Sequence, residues 1–128
     1  MTSTEKRPCS ILLIDDEADL LTLFEVALTR LDCAIYKAES GRRALEILAE
    51  LIPTLIVLDL AMPEISGVQI LEQIRSDPAY AQTKIVVLTA VPLMLERHHV
   101  SMVNMVLTKP VTPRSLENII RSLLSESE

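Results

Sequence analysis

The sequence predicts an α/β fold in which a doubly wound, five-stranded parallel sheet carries helices on both faces. The first reason is five short apolar runs, bounded by proline, glycine or polar residues, which are typical of strands buried in a parallel sheet. The second is that segments with apolar residues at helical spacing follow these runs, giving five strands that alternate with five helices. Connections this short between parallel strands form right-handed crossovers, so the elements define one layered sheet.

Length and composition indicate one domain. A chain of 128 residues with 49% hydrophobic residues can bury one core, and we expect a single domain over residues 1–128 with its core at about 10–124. No apolar run approaches the ~20 residues of a membrane helix. Residues 1–8 are charged and polar rather than signal-like. These features predict a cytoplasmic protein that makes no membrane contact.

The net charge and the cysteine content indicate what the chain binds and whether its thiols are reduced. The net charge is −6 and Lys and Arg form no block, so we expect no direct nucleic-acid binding by this chain. Cys9 and Cys33 show neither the spacing of a metal motif nor the density of a disulfide-rich domain. Buried, reduced thiols are therefore expected at both positions.

The first predicted strand, Ser10–Ile14, runs directly into three acids, Asp15, Asp16 and Glu17. A helix with an apolar face follows over residues 20–31. Acids at this place can cap the helix and complement its dipole, worth ~0.3–1 kcal/mol for each well-placed charge. One acid is enough for a cap, so three in succession favour a further role.

The second unit is a weaker strand followed by a helix. Ala34–Ala38 has polar interruptions, as expected near a sheet edge. Ser40 and Gly41 lead into a helix whose apolar face covers residues 44–51. Pro53 closes this unit.

The third strand, Leu55–Leu58, is four large aliphatic residues followed at once by Asp59, and prolines stand at Pro53 and Pro63 on either side. Such a run predicts a central strand buried on both faces. Ligand crevices of open α/β sheets lie outside the carboxyl ends of the strands, where Asp59 falls. This stretch alone also allows a cap or turn aspartate.

The next helix begins at a capping-box pair, Ser66 and Gln69, and Asp77-Pro78 ends it. The fourth strand, Ile85–Leu88, leads into Thr89 and Ala90. The pattern over residues 91–104 is weak, and one short helix is predicted from about Leu93 to Val100.

The fifth strand, Met105–Thr108, ends at Lys109-Pro110. Thr112 as N-cap and Pro113 at the first helical position start the last helix, whose apolar face covers residues 116–123.

Polar residues thus stand at the same end of four strands: Asp15 and Asp16, Asp59, Thr89 and Lys109. Carboxylates ~4 Å apart repel by about 4 kcal/mol for each pair at an effective dielectric of ~20. A positive ion relieves that repulsion, and oxygen ligands without Cys or His suit Mg²⁺ or Mn²⁺. With a lysine and a hydroxyl added, the layout favours phosphoryl transfer onto a carboxylate.

The chain resembles a receiver domain of the two-component response-regulator family, of the chemotaxis-regulator type, over about residues 10–124. The motifs that carry the resemblance are Ile14–Glu17, Leu58–Pro63, Ser66-Gly67, Thr89-Ala90 and Lys109-Pro110. It implies a flavodoxin-like sheet of strand order 2-1-3-4-5. It also implies a sensor histidine kinase or phosphotransfer protein as phosphodonor and a downstream protein target.

The same resemblance assigns roles to individual residues. It implies that Asp59 takes the phosphoryl group, that Asp15, Asp16, Asp59 and the Ala61 carbonyl organise Mg²⁺, and that Lys109 and Thr89 contact the phosphoryl oxygens. It further implies a cis Lys109-Pro110 bond. Receivers like this also accept phosphate from small donors and hydrolyse their own acyl phosphate, so the resemblance implies a signalling switch with a limited enzymatic activity.

Two departures from the family pattern concern signal output. Val106 stands where receivers usually carry an aromatic residue that turns inward on activation, and the segment from Thr89 to Lys109 is short. We therefore expect activation to stay local.

His98 and His99 lie in the short segment between Thr89 and Lys109. Adjacent histidines on a helix point in different directions, which predicts surface or interface residues rather than a shared metal site.

Two other functional classes are alternatives to a phosphorylated receiver. A pseudo-receiver that binds proteins without being phosphorylated would have lost Asp59, an acid of the Asp15-Asp16 pair, or Lys109, and none is lost. An aspartyl-phosphate phosphatase needs a second aspartate two residues beyond the nucleophile, and Ala61 occupies that position. The first alternative stays open and the second is rejected.

Overall fold

The computed structural model describes residues 9–126, and its centre is a parallel five-stranded sheet. The strands are β1 (Ser10–Ile14), β2 (Ala34–Ala38), β3 (Leu55–Leu58), β4 (Lys84–Thr89) and β5 (Met105–Thr108). Their order is β2-β1-β3-β4-β5, and every pairing is parallel. The predicted fold class and strand order are confirmed. Residues 1–8 and 127–128 of the predicted domain lie outside the described residues.

Within residues 9–126, four α-helices cover the two faces of the sheet: α1 (Ala18–Leu28), α2 (Gly41–Leu48), α3 (Gly67–Arg75) and α4 (Pro113–Ser125). Neighbouring residues of a strand point to opposite faces, so Leu12 packs with α2 and α3 while Leu13 packs with α1 and α4. Each strand of the centre therefore contributes to two hydrophobic layers. This explains why the central strands are apolar at consecutive positions, as in Ile11–Ile14 and Ile85–Leu88, rather than at alternate ones.

The helix starts agree with their sequence signals. Ser66 and Gln69 form the predicted capping box at α3, and the Thr112 side chain accepts a hydrogen bond from the Ser115 amide at α4. The first helix is shorter than predicted, because the α-helical part ends at Leu28 and a 3₁₀ turn covers Thr29–Leu31. No helix within residues 9–126 has the length and apolar character to cross a bilayer.

The prediction of five helices, with one at about Leu93–Val100, is wrong. The crossover from β4 to β5 instead contains 3₁₀ turns at Pro92–Met94 and Arg97–Met102. A 3₁₀ turn rises ~2.0 Å per residue against ~1.5 Å for an α-helix, so a short connection spans more of the return distance in this form. The Arg75 guanidinium also holds this segment from α3, since its Nε donates to the Met102 carbonyl at 2.8 Å.

The prediction of reduced cysteines is also wrong for this structure, because Cys9 and Cys33 form a disulfide. The cause is strand register. Ser10 pairs with Ala34 across β1 and β2, so the residues immediately before them stand side by side, with their Cα atoms 4.7 Å apart. That proximity comes from pairing across the sheet, and the spacing of the cysteines along the chain does not reveal it.

Candidate functional site

The predicted site residues meet at the carboxyl ends of the strands. Asp15 and Asp59 directly follow β1 and β3, and Thr89 closes β4; all three are buried, with exposed fractions of 5%, 4% and 0%. Asp16 is exposed beside them. Carboxylate oxygens of Asp15, Asp16 and Asp59 all lie within 4.8 Å of one another. The cluster that the strand ends predicted is therefore present in the structure.

Backbone hydrogen bonds beyond the strand ends hold these residues in place. The Asp15 amide donates to the Ala38 carbonyl at 3.1 Å, and the Asp59 amide donates to the Ile14 carbonyl at 3.0 Å. On the other side, the Lys109 amide donates to the Thr89 carbonyl at 2.9 Å. The candidate side chains thus sit on backbone that continues the hydrogen bonding of the sheet.

Gly67 allows the start of α3 to approach the central acid closely. Its amide donates to the Leu60 carbonyl at 2.8 Å. A Cβ atom at position 67 would stand 2.0 Å from the Asp59 carbonyl oxygen, which is shorter than any real contact. Glycine is therefore required here for space and not for its backbone angles.

Lys109 is the cation of the site. Its Nζ lies 2.8 Å from Asp15 Oδ2, 2.7 Å from Glu17 Oε2 and 3.6 Å from Asp59 Oδ2. The Lys109-Pro110 peptide bond is cis, as the resemblance implied. The sequence singled out Glu17 only as a third acid after β1, so its contact with Lys109 was missed. The signal was its place in the Asp15–Glu17 run.

The protonation of the site follows from burial and from these contacts. Burial lowers the pKa of Lys109, but hydrogen bonds and charges from Asp15, Glu17 and Asp59 outweigh it and hold the pKa above its ordinary value. Burial raises the pKa of Asp15, although the Lys109 hydrogen bond acts in the opposite direction. Asp15 is thus an acid whose charged form is penalised by its surroundings.

The donor set fits a hard divalent cation. Three carboxylates stand together without a nitrogen or sulfur donor in the same group, which is the ligand chemistry of Mg²⁺ or Mn²⁺. Ala61, whose carbonyl the resemblance assigned to the metal, is exposed next to the cluster, and its amide donates to Asp59 Oδ1 at 3.4 Å. A cation here would relieve the penalty on Asp15 by adding positive charge.

Thr89 and Val106 are the two residues that the resemblance connected with signal output. The Thr89 hydroxyl oxygen accepts a hydrogen bond from the Val91 amide at 3.1 Å. Val106 pairs with Val87 across the sheet and is 41% exposed. Its side chain is therefore partly in solvent and is not packed in the core.

The structure contradicts the geometric argument about the two histidines. His99 is buried with an exposed fraction of 2%, so it is not a surface residue. Both rings reach Glu72 on α3, and their centroids are 4.0 Å apart. These residues lie in a 3₁₀ turn that faces α3, and not in the α-helix from which the surface position was predicted.

The chain also matches known proteins. A family model described as the response regulator receiver domain covers residues 11–121. The chain is 36% identical over 125 residues to the transcriptional regulatory protein AfsQ1 of Streptomyces coelicolor, with 93% of this chain and 52% of that protein covered. It is 30% identical over 124 residues to the response regulator Rre1 of Synechocystis, with 94% and 54% covered. The chain thus spans about half the length of these curated relatives.

Solved structures show the same fold. A CheY-like receiver domain from Methylobacillus flagellatus superposes with a TM-score of 0.78 at 24% identity, covering 90% of this chain and 98% of that one. The response regulator TrrA from Thermotoga maritima, solved in complex with Mg(2+)-BeF, superposes with a TM-score of 0.73 at 28% identity, covering 90% and 98%. The first likeness concerns the fold alone.

Proposed function

The chain belongs to the response regulator receiver domain family of two-component systems, and from that premise we propose that Asp59 is its phosphoacceptor. The observation that carries the proposal is the buried group of Asp15, Asp59 and Lys109 at the strand ends, with Asp16 beside it. Nucleophilic carboxylates of this kind form acyl phosphates.

In the proposed reaction an Asp59 carboxylate oxygen attacks the phosphorus of a phosphohistidine. An O–P bond forms while the N–P bond breaks, and the electron pair returns to the imidazole nitrogen, which takes up a proton. Lys109 Nζ, 3.6 Å from Asp59 Oδ2, is placed to offset the negative charge of the transferred group. The Thr89 hydroxyl is the second group proposed to contact the phosphoryl oxygens. Such catalysis is mostly positioning and charge neutralisation.

We propose that Asp15, Asp16 and Asp59, with the Ala61 carbonyl, would hold Mg²⁺, with Mn²⁺ as a substitute. When bound, the ion would supply charge neutralisation between the acceptor and the phosphoryl oxygens. The support is the all-oxygen donor set and the raised pKa of Asp15, which burial causes. The likeness to a receiver solved with Mg(2+)-BeF is consistent with this assignment.

The phosphodonor is proposed to be a sensor histidine kinase or a phosphotransfer protein. Beside Lys109 lies a largely apolar cavity of about 290 Å³, lined by Leu20, Phe24, Pro110 and Val111 together with Glu17 and Lys109. This surface adjoins the acceptor, so a donor protein resting on it could present its phosphohistidine to Asp59. The phosphorylated form would then act on a downstream protein target.

Several wider assignments are proposals of the same kind. We propose that the chain works as one receiver unit in the cytoplasm, where its phosphodonor would present the phosphohistidine. The net charge of −6 supports no direct DNA contact by this chain. The chain spans about half of the length of its curated relatives. Any DNA binding by those relatives would therefore reside in the half that this chain does not match.

The test is intact mass after incubation with acetyl phosphate and Mg²⁺. We expect one added phosphate, lost with EDTA and absent in Asp59→Asn. Asp19→Asn is the matched control, because Asp19 is an exposed acid in the first turn of α1 outside the cluster, and it should label normally. Labelling of Asp59→Asn equal to that of the unaltered chain would remove the assignment.

The alternative is a pseudo-receiver that binds proteins without phosphorylation. No observation at the site favours it, because Lys109 is paired with both Asp15 and Asp59. If the unaltered chain takes up no phosphate from acetyl phosphate or from a phosphohistidine donor, this alternative becomes the better account.

A further inference from the structure

A second group of metal-ligating side chains lies between α3 and the Arg97–Met102 turn. It consists of Glu72, His98 and His99, and each offers one ligand atom within 4.8 Å of the other two. This group contains two imidazoles, whereas the strand-end cluster contains only carboxylates. The receiver chemistry proposed above uses none of these three residues.

His99 is the buried member of the group and its ring is held at both nitrogens. Nε2 lies 2.8 Å from Glu72 Oε2, and Nδ1 accepts a hydrogen bond from the Glu96 amide at 2.9 Å. Because an amide donates to Nδ1, the ring proton is on Nε2 and is donated to Glu72. This contact also lowers the pKa of Glu72.

His98 completes the group from the solvent side. Its Nε2 lies 3.8 Å from Glu72 Oε2, and its Nδ1 lies 3.5 Å from Glu96 Oε1. Its side chain is 57% exposed, so the group is open to solvent on that side. An ion could enter there and keep water as a further ligand.

We propose that Glu72, His98 and His99 form a binding site for a transition-metal dication of the zinc class. Two imidazole nitrogens and one carboxylate oxygen are a ligand set that Zn²⁺ accepts in proteins, with open positions left for water. Imidazole also suits Co²⁺, Ni²⁺ and Cu²⁺, whereas Mg²⁺ prefers oxygen donors. The chain would then carry two metal sites of different selectivity.

Metal binding would change the hydrogen bonds of His99. Coordination through Nε2 requires that its proton leave, and a neutral ring then carries the proton on Nδ1. Once Nδ1 carries the proton, it can no longer accept a hydrogen bond from the Glu96 amide, so that hydrogen bond breaks. The ion would therefore act on the Glu96–His99 turn, within the crossover that joins Thr89 to β5.

A structural tether is the competing account. In that account the pair of Glu72 and His99 only fastens the crossover to α3, and His98 plays no part. The two accounts differ at His98, because a tether does not need it and a metal site does.

The experiment uses the full chain, stripped of metal with a chelator and kept free of Mg²⁺. Zn²⁺ is titrated by calorimetry, and the thermal unfolding midpoint is measured with and without it. We expect one Zn²⁺ per chain and a higher midpoint. His98→Ala should fold normally, because the side chain is exposed, and should bind Zn²⁺ about tenfold more weakly or worse.

Two control variants test the other places where Zn²⁺ could bind. Asp16→Asn alters the strand-end cluster, and Cys9→Ser with Cys33→Ser removes the sulfur atoms of the disulfide; both variants, assayed at a temperature where they are folded, should retain the affinity of the unaltered chain for Zn²⁺. The amide resonance of Glu96 should shift on Zn²⁺ addition, which a tether alone does not predict.

The proposal is overturned if Zn²⁺ does not bind, if His98→Ala binds it as tightly as the unaltered chain, or if either control abolishes binding. Because none of these variants touches Asp59, a failure here leaves the phosphoacceptor assignment intact. A failure of Asp59 to take phosphate would equally leave this site unaffected.

Discussion

Lys109 is the residue through which the charge of the receiver site is balanced. Its ammonium group contacts Asp15 and Glu17 closely and stands farther from Asp59. Glu17 is mostly exposed, with 61% of its side chain accessible, whereas Asp15 is 7% accessible. The buried pair with Asp15 is therefore the stronger restraint, because exposed ion pairs contribute little.

Asp16 is the acid of the cluster whose negative charge Lys109 does not neutralise. It belongs to the cluster of three carboxylates, yet within residues 9–126 the ion pairs of the lysine are with Asp15, Glu17 and Asp59. In the absence of metal, its charge repels two neighbouring carboxylates. Since Asp16 is exposed, water screens this repulsion to the order of 1 kcal/mol.

We predict that Asp16→Asn raises the thermal unfolding midpoint without Mg²⁺ by a few degrees, on the order of 1 kcal/mol of stability. The same variant should lose the stabilisation that Mg²⁺ gives to the unaltered chain. Calorimetric unfolding with and without Mg²⁺ measures both effects, and Asp19→Asn serves as the control. A variant that melts lower and still responds to Mg²⁺ would show that the acids are not the metal site.

At the scale of elements, the crossover between β4 and β5 is the unusual part of the fold. It is built from two 3₁₀ turns, Pro92–Met94 and Arg97–Met102. Leu93 is 92% exposed and Val100 is 65% exposed, so this segment buries fewer apolar side chains than the helices do. Segments with little burial open and shift most easily.

We predict that activation stays local to the acceptor and this crossover. Val106 is short and branched at Cβ, and because it is partly exposed it cannot move inward as a large aromatic residue would. Amide chemical shifts with and without a beryllofluoride phosphate mimic should change in the loops after Asp59 and Thr89 and over residues 91–104. Changes over Leu116–Leu124 of α4 should be small.

Val106→Tyr is the matched variant for this prediction. Its exposed position leaves room for the ring, and we expect the mimic to produce larger shifts in α4 than in the unaltered chain. Shifts in α4 of the unaltered chain as large as those beside Asp59 would show that long-range coupling does not need the aromatic residue. An allosteric coupling is typically ~1–3 kcal/mol in total, so one side chain, such as the one at position 106, can account for much of it.

At the scale of the whole molecule, the disulfide closes the part of the chain from β1 to β2. Cys9 and Cys33 are 24 residues apart in sequence, and α1 lies between them. In the chain-entropy account, a loop of this length stabilises the fold by roughly 3 kcal/mol. This end of the sheet is opposite to the strand ends that carry the acids, so we expect the bond to affect stability and not the acid cluster.

We predict that a reducing agent lowers the unfolding midpoint by on the order of 10 °C, corresponding to ~3 kcal/mol. Phosphate uptake from acetyl phosphate should continue at temperatures where the reduced chain is folded. Cys9→Ser should melt at the lower midpoint with or without reductant. If reductant leaves the unfolding midpoint of the unaltered chain unchanged, Cys9 and Cys33 are not bonded in solution. Free thiols are the usual state of cysteines in cytosolic proteins.

The sequence by itself determined the sheet and the group of polar residues at the carboxyl ends of its strands. Strand runs such as Leu55–Leu58 and the polar residues that end them are local patterns, and parallel strands bring their carboxyl ends together. Asp15, Asp59, Thr89 and Lys109 were therefore predictable as neighbours before any coordinates. Helix starts such as Ser66 were predictable for the same reason, because a cap acts within one turn.

The tertiary structure alone decided the features that depend on contacts between distant residues. The Cys9–Cys33 bond follows from the register of β1 and β2, which no spacing along the chain encodes. The 3₁₀ crossover is held by Arg75 from another element, and the shared contact of two histidines with Glu72 arises there. Local propensity is weak in such a short segment, so packing against α3 and the sheet chose its conformation.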